Sequence, residues 1–327
     1  PRAPTMLTPA IRQSIPAYRA IGVKTVGRLR GHLWEQLELP RSTRDGLLIN
    51  LANAAPIFAQ RQLVVLHDAG IFAHPEAYSL PYRLFHQGLD RMLARSQARL
   101  ATVSRFSRDE IARHLHVPPA TIGVLSEGAD HILRVEPDRT ILQQHGLRPR
   151  GYVLAVGNLV AHKNLSALRE LARLLDRRGL ALAVAGGVAA AVYDSGTVTL
   201  PHPATYLGKV SDGALRALYE AALCFVFPSR YEGFGIPPIE AMACFCPVVA
   251  ATAGAVMETC GDAALYCDPD DPAEIAAGVA RVIDEPPLAQ ELRERGRERV
   301  RALTWDNAAA LLFREIEELQ EGTHAAP

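Results

Sequence analysis

A chain of 327 residues with 49% hydrophobic content can fill two cores, so two domains are expected. Aromatic residues make up only 6%, too few for a base-stacking nucleic-acid platform, and no apolar run is as long as a membrane span or a signal peptide. The formal net charge of zero is unevenly divided: residues 1–150 hold 20 Lys and Arg against 12 Asp and Glu, residues 151–327 hold 15 against 23.

That +8 and −8 division fits two halves attracting each other across a cleft, or a basic half resting on an anionic membrane surface. The five cysteines, Cys224, Cys244, Cys246, Cys260 and Cys267, include no Cys-x-x-Cys pair and are odd in number. They are expected to be core fillers in a reducing, cytoplasmic compartment.

In chain order, the runs at 46–51, 62–66, 98–103 and 121–125 have strand character. Helical patterns lie at 81–97 and 108–115, and such alternation predicts parallel strands joined by crossover helices. A polar stretch at 135–151 follows as the expected connection between domains. The second half repeats the scheme, with strands at 152–156, 180–185, 223–227 and 247–251 and helices at 164–178 and 212–222. Helices at 287–302 and 305–319 close the chain.

The most telling stretch is Glu232-Gly-Phe-Gly-Ile-Pro-Pro-Ile-Glu240. Before it, Leu223-Cys-Phe-Val-Phe227 is short, continuous and apolar, as a buried parallel strand should be. After it, Pro237 and Pro238 suit the opening turn of a helix, where a missing N–H costs nothing. Glu232 is then a loop acid and Glu240 lies about one turn into the helix. The amides of Phe234, Gly235 and Ile236 would point out of the helix N-terminus, an anion site. The three features together describe a pocket for a phosphorylated sugar ligand.

This segment resembles the Glu-x7-Glu signature of the family-four retaining glycosyltransferases, which have the two-Rossmann GT-B fold. The resemblance extends to Tyr152-Val-Leu-Ala-Val-Gly-Asn-Leu-Val-Ala-His-Lys-Asn-Leu165, Thr102-Val-Ser-Arg-Phe-Ser107 and Val65-Leu-His-Asp68. Gly31-His-Leu-Trp-Glu-Gln36, with Leu39-Pro40 after it, is similar to a subgroup that builds bacterial polysaccharides, often with mannose. The implied architecture is α/β, with two Rossmann-like domains facing across a cleft. Residues 1–140 would form the acceptor side, residues 148–304 the nucleotide-sugar side, and 305–320 a helix crossing back to the first domain. Chains of this family usually open with a strand, a glycine-rich loop and a long helix. This one opens Pro1-Arg-Ala-Pro with only Gly22 among its first 25 residues, so the first domain is expected to lack that segment.

The implied reaction transfers a sugar, mannose from GDP-mannose, to a glycan or lipid-linked glycan acceptor with retention. Preorganised donors help most where the diphosphate leaves. Lys163, opening a helix whose dipole adds to its charge, is the expected cation. The family commonly has Arg at the position of Asn158, so one charge is missing; His162, if protonated, or Arg230 could compensate, although Arg230 serves equally well as an ion-pair partner. Glu232 would hold the transferred sugar and Glu240 the ribose hydroxyls. His67, at the carboxyl end of a strand, would touch the donor sugar from the first domain, with Asp68 as an acceptor contact. Lys209 and Val210 would lie against the nucleobase. The eleven histidines show no metal-ligand spacing, and neither metal nor cofactor is expected. The alternative function is a non-catalytic GT-B partner subunit that binds a nucleotide or nucleotide-sugar.

Overall fold

The computed structural model describes residues 4–10, 20–43, 46–187 and 200–322. Two short strands come first, β1 (Thr5–Thr8) and β2 (Gly22–Thr25), paired parallel in a sheet of their own. A helical stretch follows from Gly31 to Ser42 and is wound as a π turn over Trp34–Glu38.

The first large sheet has four parallel strands in the order β3 (Leu48–Asn50), β4 (Gln62–Val65), β5 (Arg99–Thr102) and β6 (Ile122–Val124). All of β4 is buried, which is why Leu63-Val-Val reads as an unbroken apolar run. Helix α1 (Leu80–Ala94) leads into β5, and α2 (Arg105–Leu115) connects β5 to β6. Helix α2 starts three residues before the position its periodicity suggests, because the Ser104 side chain caps it by accepting the Ser107 N–H.

The second sheet has six parallel strands: β7 (Tyr152–Val156), β8 (Ala181–Ala185), β9 (Thr205–Gly208), β10 (Phe225–Phe227), β11 (Val248–Ala251) and β12 (Ala264–Cys267). Their order, β12-β11-β10-β7-β8-β9, is the doubly wound arrangement. It reverses between β7 and β10, and ligands of such sheets sit at the carboxyl ends beside that reversal. Around it lie α3 (Arg169–Arg177), α4 (Asp212–Ala221), α5 (Ile236–Ala243), α6 (Pro272–Asp284) and α7 (Pro286–Val300). All five cysteines are buried and unbridged, and burial raises their thiols, that of Cys224 to about 12.

The stretch between the large sheets is packed rather than free. Ile132, Ile141 and Leu142 join one apolar cluster that runs from Leu63 and Ala101 to Tyr152, Leu218 and Phe225. The last helix, α8 (Trp305–Gly322), returns to the first sheet, where Glu315 accepts from Arg99 of β5 at 2.9 Å. The chain thus crosses between the sheets twice, and the crossings touch. The Ala129 N–H donates to the Leu303 carbonyl at 3.0 Å, and the Trp305 N–H donates to Asp130 at 2.7 Å. At Gly128 a Cβ would stand 2.3 Å from the Trp305 nitrogen, so only glycine fits between them.

Candidate active site

At the reversal point, the loops leaving β7 and β10 bring two charged side chains together. Lys163 Nζ donates to both carboxylate oxygens of Glu232, at 2.7 and 3.0 Å. Both side chains are largely enclosed, 19% and 11% exposed, so solvent screens the pair little. The ammonium also lies 5.7 Å from the centre of the Phe227 ring. The Glu232 backbone is held too, its carbonyl accepting the Ala255 N–H at 3.1 Å while Gly254 packs against it with no room for a Cβ.

Beside this pair is a cavity of about 150 Å³ between the domains. Asp68, Gly70, His74 and Tyr78 line it from the first domain, Asn158, His162, Lys163, Tyr231, Glu232 and Gly233 from the second. Burial, with the nearby Glu232 charge, raises the Asp68 carboxyl, although Asp68 accepts the Gly70 N–H at 2.6 Å. Burial and the Lys163 charge push His162 down to about 4. It is neutral near pH 7 and does not replace the charge missing at Asn158.

Five of the residues singled out by sequence therefore meet in one cavity: Asp68, Asn158, His162, Lys163 and Glu232. The setting of Lys163 differs from the expected one. It ends a 3-10 turn, Ala161–Lys163, and Asn164 follows in the left-handed region at φ +55°. A second 3-10 turn, Leu165–Leu168, then separates it from α3, so no α-helix dipole backs the ammonium. Asn164 is fixed there by donating to the carbonyls of Pro228 and Pro269.

The other expected residues lie outside the cavity. The His67 ring turns away, donating from Nε2 to the Leu51 carbonyl at 2.7 Å with Nδ1 3.6 Å from Glu127. Its backbone approaches the site instead, the carbonyl lying against Gly233. Arg230 takes its alternative role, pairing with Asp270 at 2.7 Å and bonding Asn164. Glu240 is buried, and both its oxygens are engaged, by His131 Nε2 at 2.8 Å and the Tyr219 hydroxyl at 3.1 Å. The hydrogen bond to Glu240 raises His131, while the Trp305 indole N–H donates to its Nδ1 and opposes protonation there.

Gly235, at φ +99°, precedes Ile236, the first residue of α5. Among the described residues, the N–H groups of Phe234 and Gly235 make no hydrogen bond. Lys209 follows β9, near Gly187, and Val210 packs on the core. One Asp-x-Asp string, Asp268-Pro269-Asp270, is present, contrary to the expectation that the chain has none. Asp268 accepts the Asp270 N–H at 2.8 Å in the turn before α6, and Asp270 pairs with Arg230. Among the described residues, no three His, Cys, Asp or Glu side chains group as metal ligands.

Sequence reasoning missed His74, Tyr78 and Tyr231. The Tyr231 hydroxyl accepts the Ala69 N–H at 3.1 Å, and its ring meets His74 edge-on at 4.9 Å. Adjacency to Glu232 was the available signal for Tyr231; nothing in the spacing of His74 or Tyr78 distinguishes them.

The family model described as glycosyl transferases group 1 matches residues 138–299. The O-antigen chain mannosyltransferase B of Escherichia coli is 32% identical over 265 residues, 76% of this chain and 68% of that protein. The O-antigen chain mannosyltransferase RfbU of Salmonella typhimurium is 29% identical over 218 residues, covering 65% of this chain but only 58% of its own length. Among solved structures, Anabaena Alr3699/HepE in complex with UDP and glucose superposes with a TM-score of 0.70 at 18% identity, over 92% of this chain and 86% of that one. With two Rossmann-like sheets facing a shared cavity and a relative this similar over two thirds of its length, the chain belongs to the group 1 glycosyl transferases and has the GT-B fold.

Proposed function

We propose that the chain is a retaining mannosyltransferase that moves mannose from GDP-mannose to a glycan or lipid-linked glycan acceptor, without a metal. The observation that carries this reading is the Lys163–Glu232 pair, set at the sheet reversal beside Asn158 and facing Asp68 across the cavity. Mannose is taken from the relatives, two of which are named as O-antigen chain mannosyltransferases.

In this reading Lys163 lies beside the diphosphate and stabilises the charge that develops as the glycosidic bond breaks. Asn158 adds a neutral donor, and the N–H groups of Phe234 and Gly235 complete the anion site. Glu232 holds sugar hydroxyls and supports cationic character at the anomeric carbon. Asp68 receives the acceptor hydroxyl from the other side. The departing phosphate takes the acceptor proton on the same face, so no separate base is assigned. Glu240 acts on the ribose only once the donor hydrogen bonds of His131 and Tyr219 have shifted.

The test is a thermal-shift screen with GDP, UDP, ADP and their sugars, then transfer followed by NMR of the product anomer. A nucleotide at 100 times its dissociation constant adds about 2.7 kcal/mol, which a melting shift registers. GDP and GDP-mannose should stabilise the protein, the product should keep the donor's anomeric configuration, and EDTA should leave the rate unchanged. Silence from every nucleotide would instead support the non-catalytic partner subunit.

A second proposal concerns location, the cytoplasmic face of an anionic membrane. Among the described residues no helix is long and apolar enough to span a membrane. Helix α1 nevertheless exposes Leu80, Leu84, Phe85 and Met92 beside Arg91, on the half of the chain with charge +8. Apolar side chains beside cations suit a surface of anionic lipid headgroups.

A further inference from the structure

Ser104 and Ser107, in the 102–107 stretch singled out by sequence, take no part in the chemistry above. Ser104 caps α2, its Oγ accepting the Ser107 N–H at 3.0 Å. The same Oγ donates to the carbonyl of Gly233, in the other domain, at 2.6 Å. Ser107 Oγ donates to that same carbonyl at 2.9 Å. Both serines are buried. A carbonyl oxygen has two lone pairs, and the first domain engages both.

Gly233 directly follows Glu232. One carbonyl of this pair is tied to Ala255, within its own domain, and the next is tied across the cleft by the two serines. The first turn of α2 is engaged from the second domain as well. Glu258 accepts the N–H groups of Arg105 and Phe106, each at 3.0 Å, so groups that a helix leaves unpaired find their partner across the cleft. No side chain fits between the surfaces, since a Cβ on Gly233 would stand 2.4 Å from the His67 carbonyl oxygen.

We propose that Ser104 and Ser107 are positioning residues whose joint hold on the Gly233 carbonyl couples closure of the two domains to the placement of Glu232 against Lys163. The coupling rests on the donor-site reading of those two residues, whereas the latch itself is a property of the two domains. When the domains part, the Glu232–Gly233 segment loses one of its two backbone ties. Glu232 is then anchored only through Ala255 and its own side chain.

The test uses the full chain with Ser104→Asp and Ser107→Ala combined. Aspartate still caps α2, but it cannot donate and sets a carboxylate against the Gly233 carbonyl. Circular dichroism should stay at wild type. Small-angle scattering should show a larger radius of gyration, and hydrogen exchange should quicken at Arg105 and Phe106, whose N–H groups bond to Glu258 across the cleft. GDP affinity should change by less than about threefold, while kcat for transfer from GDP-mannose falls about tenfold or more, the scale of two lost hydrogen bonds. Ser104→Thr with Ser107→Thr, which keeps both hydroxyls, should restore scattering, exchange and kcat. Unchanged scattering and exchange in the Asp/Ala chain would overturn the latch, and so would wild-type kcat in a chain whose scattering had changed. Should wild type bind no nucleotide, the donor-site reading fails, while scattering and exchange still decide the latch.

Discussion

Lys163 and Glu232, 69 positions apart, form a two-pronged ion pair joining the loops after β7 and β10. Removing one partner leaves the other charge enclosed and uncompensated. Lys163→Ala should therefore destabilise the fold by about 2–3 kcal/mol and cut turnover by about a hundredfold or more. Lys163→Met combined with Glu232→Gln should recover most of the stability and none of the activity. Urea unfolding and initial rates measure both; a double variant as unstable as the single one contradicts the account.

Asp90, which does not line the cavity, gives the protein a pH dependence of its own. It is buried on α1 with no hydrogen-bond partner for Oδ1 among the described residues, and burial foremost, then the Asp68 charge, raises it to about 7. An acid raised on folding stabilises the native state while protonated, so stability falls as pH rises from about 4 through 7. Asp90→Asn stays neutral; it should match wild-type stability near pH 3, below both ionisations, and exceed it at pH 8.5 by up to about 4 kcal/mol. Equal melting temperatures at pH 8.5 would show that Asp90 is solvated when charged.

Gly233→Ala should act as a wedge. The new methyl would stand 2.4 Å from the His67 oxygen and 2.9 Å from the Asp68 Cβ, and the nearer neighbour is backbone that cannot swing aside. Transfer should drop by about an order of magnitude or more while calorimetry with GDP shows near-normal affinity. Full transfer activity would mean that the domains need not touch here.

The exposed face of α1 predicts vesicle binding. Full-length protein should bind phosphatidylglycerol vesicles at low salt and release as ionic strength reaches physiological levels, where charges are screened over about 8 Å. Leu80→Glu with Leu84→Glu should abolish binding at every salt concentration. Sedimentation that recovers no protein with anionic vesicles at low salt removes the membrane proposal.

Legibility in the sequence followed the physics of each element. Strands β4, β7, β8, β10 and β11 are buried runs whose apolar continuity is visible in one dimension. Strands β1, β2 and β9 are largely exposed, and β12 is only half-buried, so they lacked that signature. Helix α6 is not among the expected elements, although Asp271 before Pro272 is a helix-start signal and Asp271 caps the N–H groups of Ala273 and Glu274. At the site, Glu232 was marked by its own local pattern, whereas Lys163, Asn158 and Asp68 were reached through the motifs that carry the family resemblance. The orientations of His67 and Arg230 were not, because Leu51, Glu127, Asn164 and Asp270 decide them and only folding brings these near.

The paired crossings at Gly128–Asp130 and Leu303–Trp305 limit how such a molecule can open. A single connecting segment would act as a swivel and let one sheet roll, slide or twist over the other. Two segments bonded side by side leave one axis, and the donor and acceptor faces can then meet only along a fixed arc. The registration of Ser104 with Gly233 on closing is thereby set by the connection between the sheets, not found by search. Because Gly128 packs directly on the Trp305 backbone, the smallest added side chain there would shift that axis and misalign a cavity it never touches.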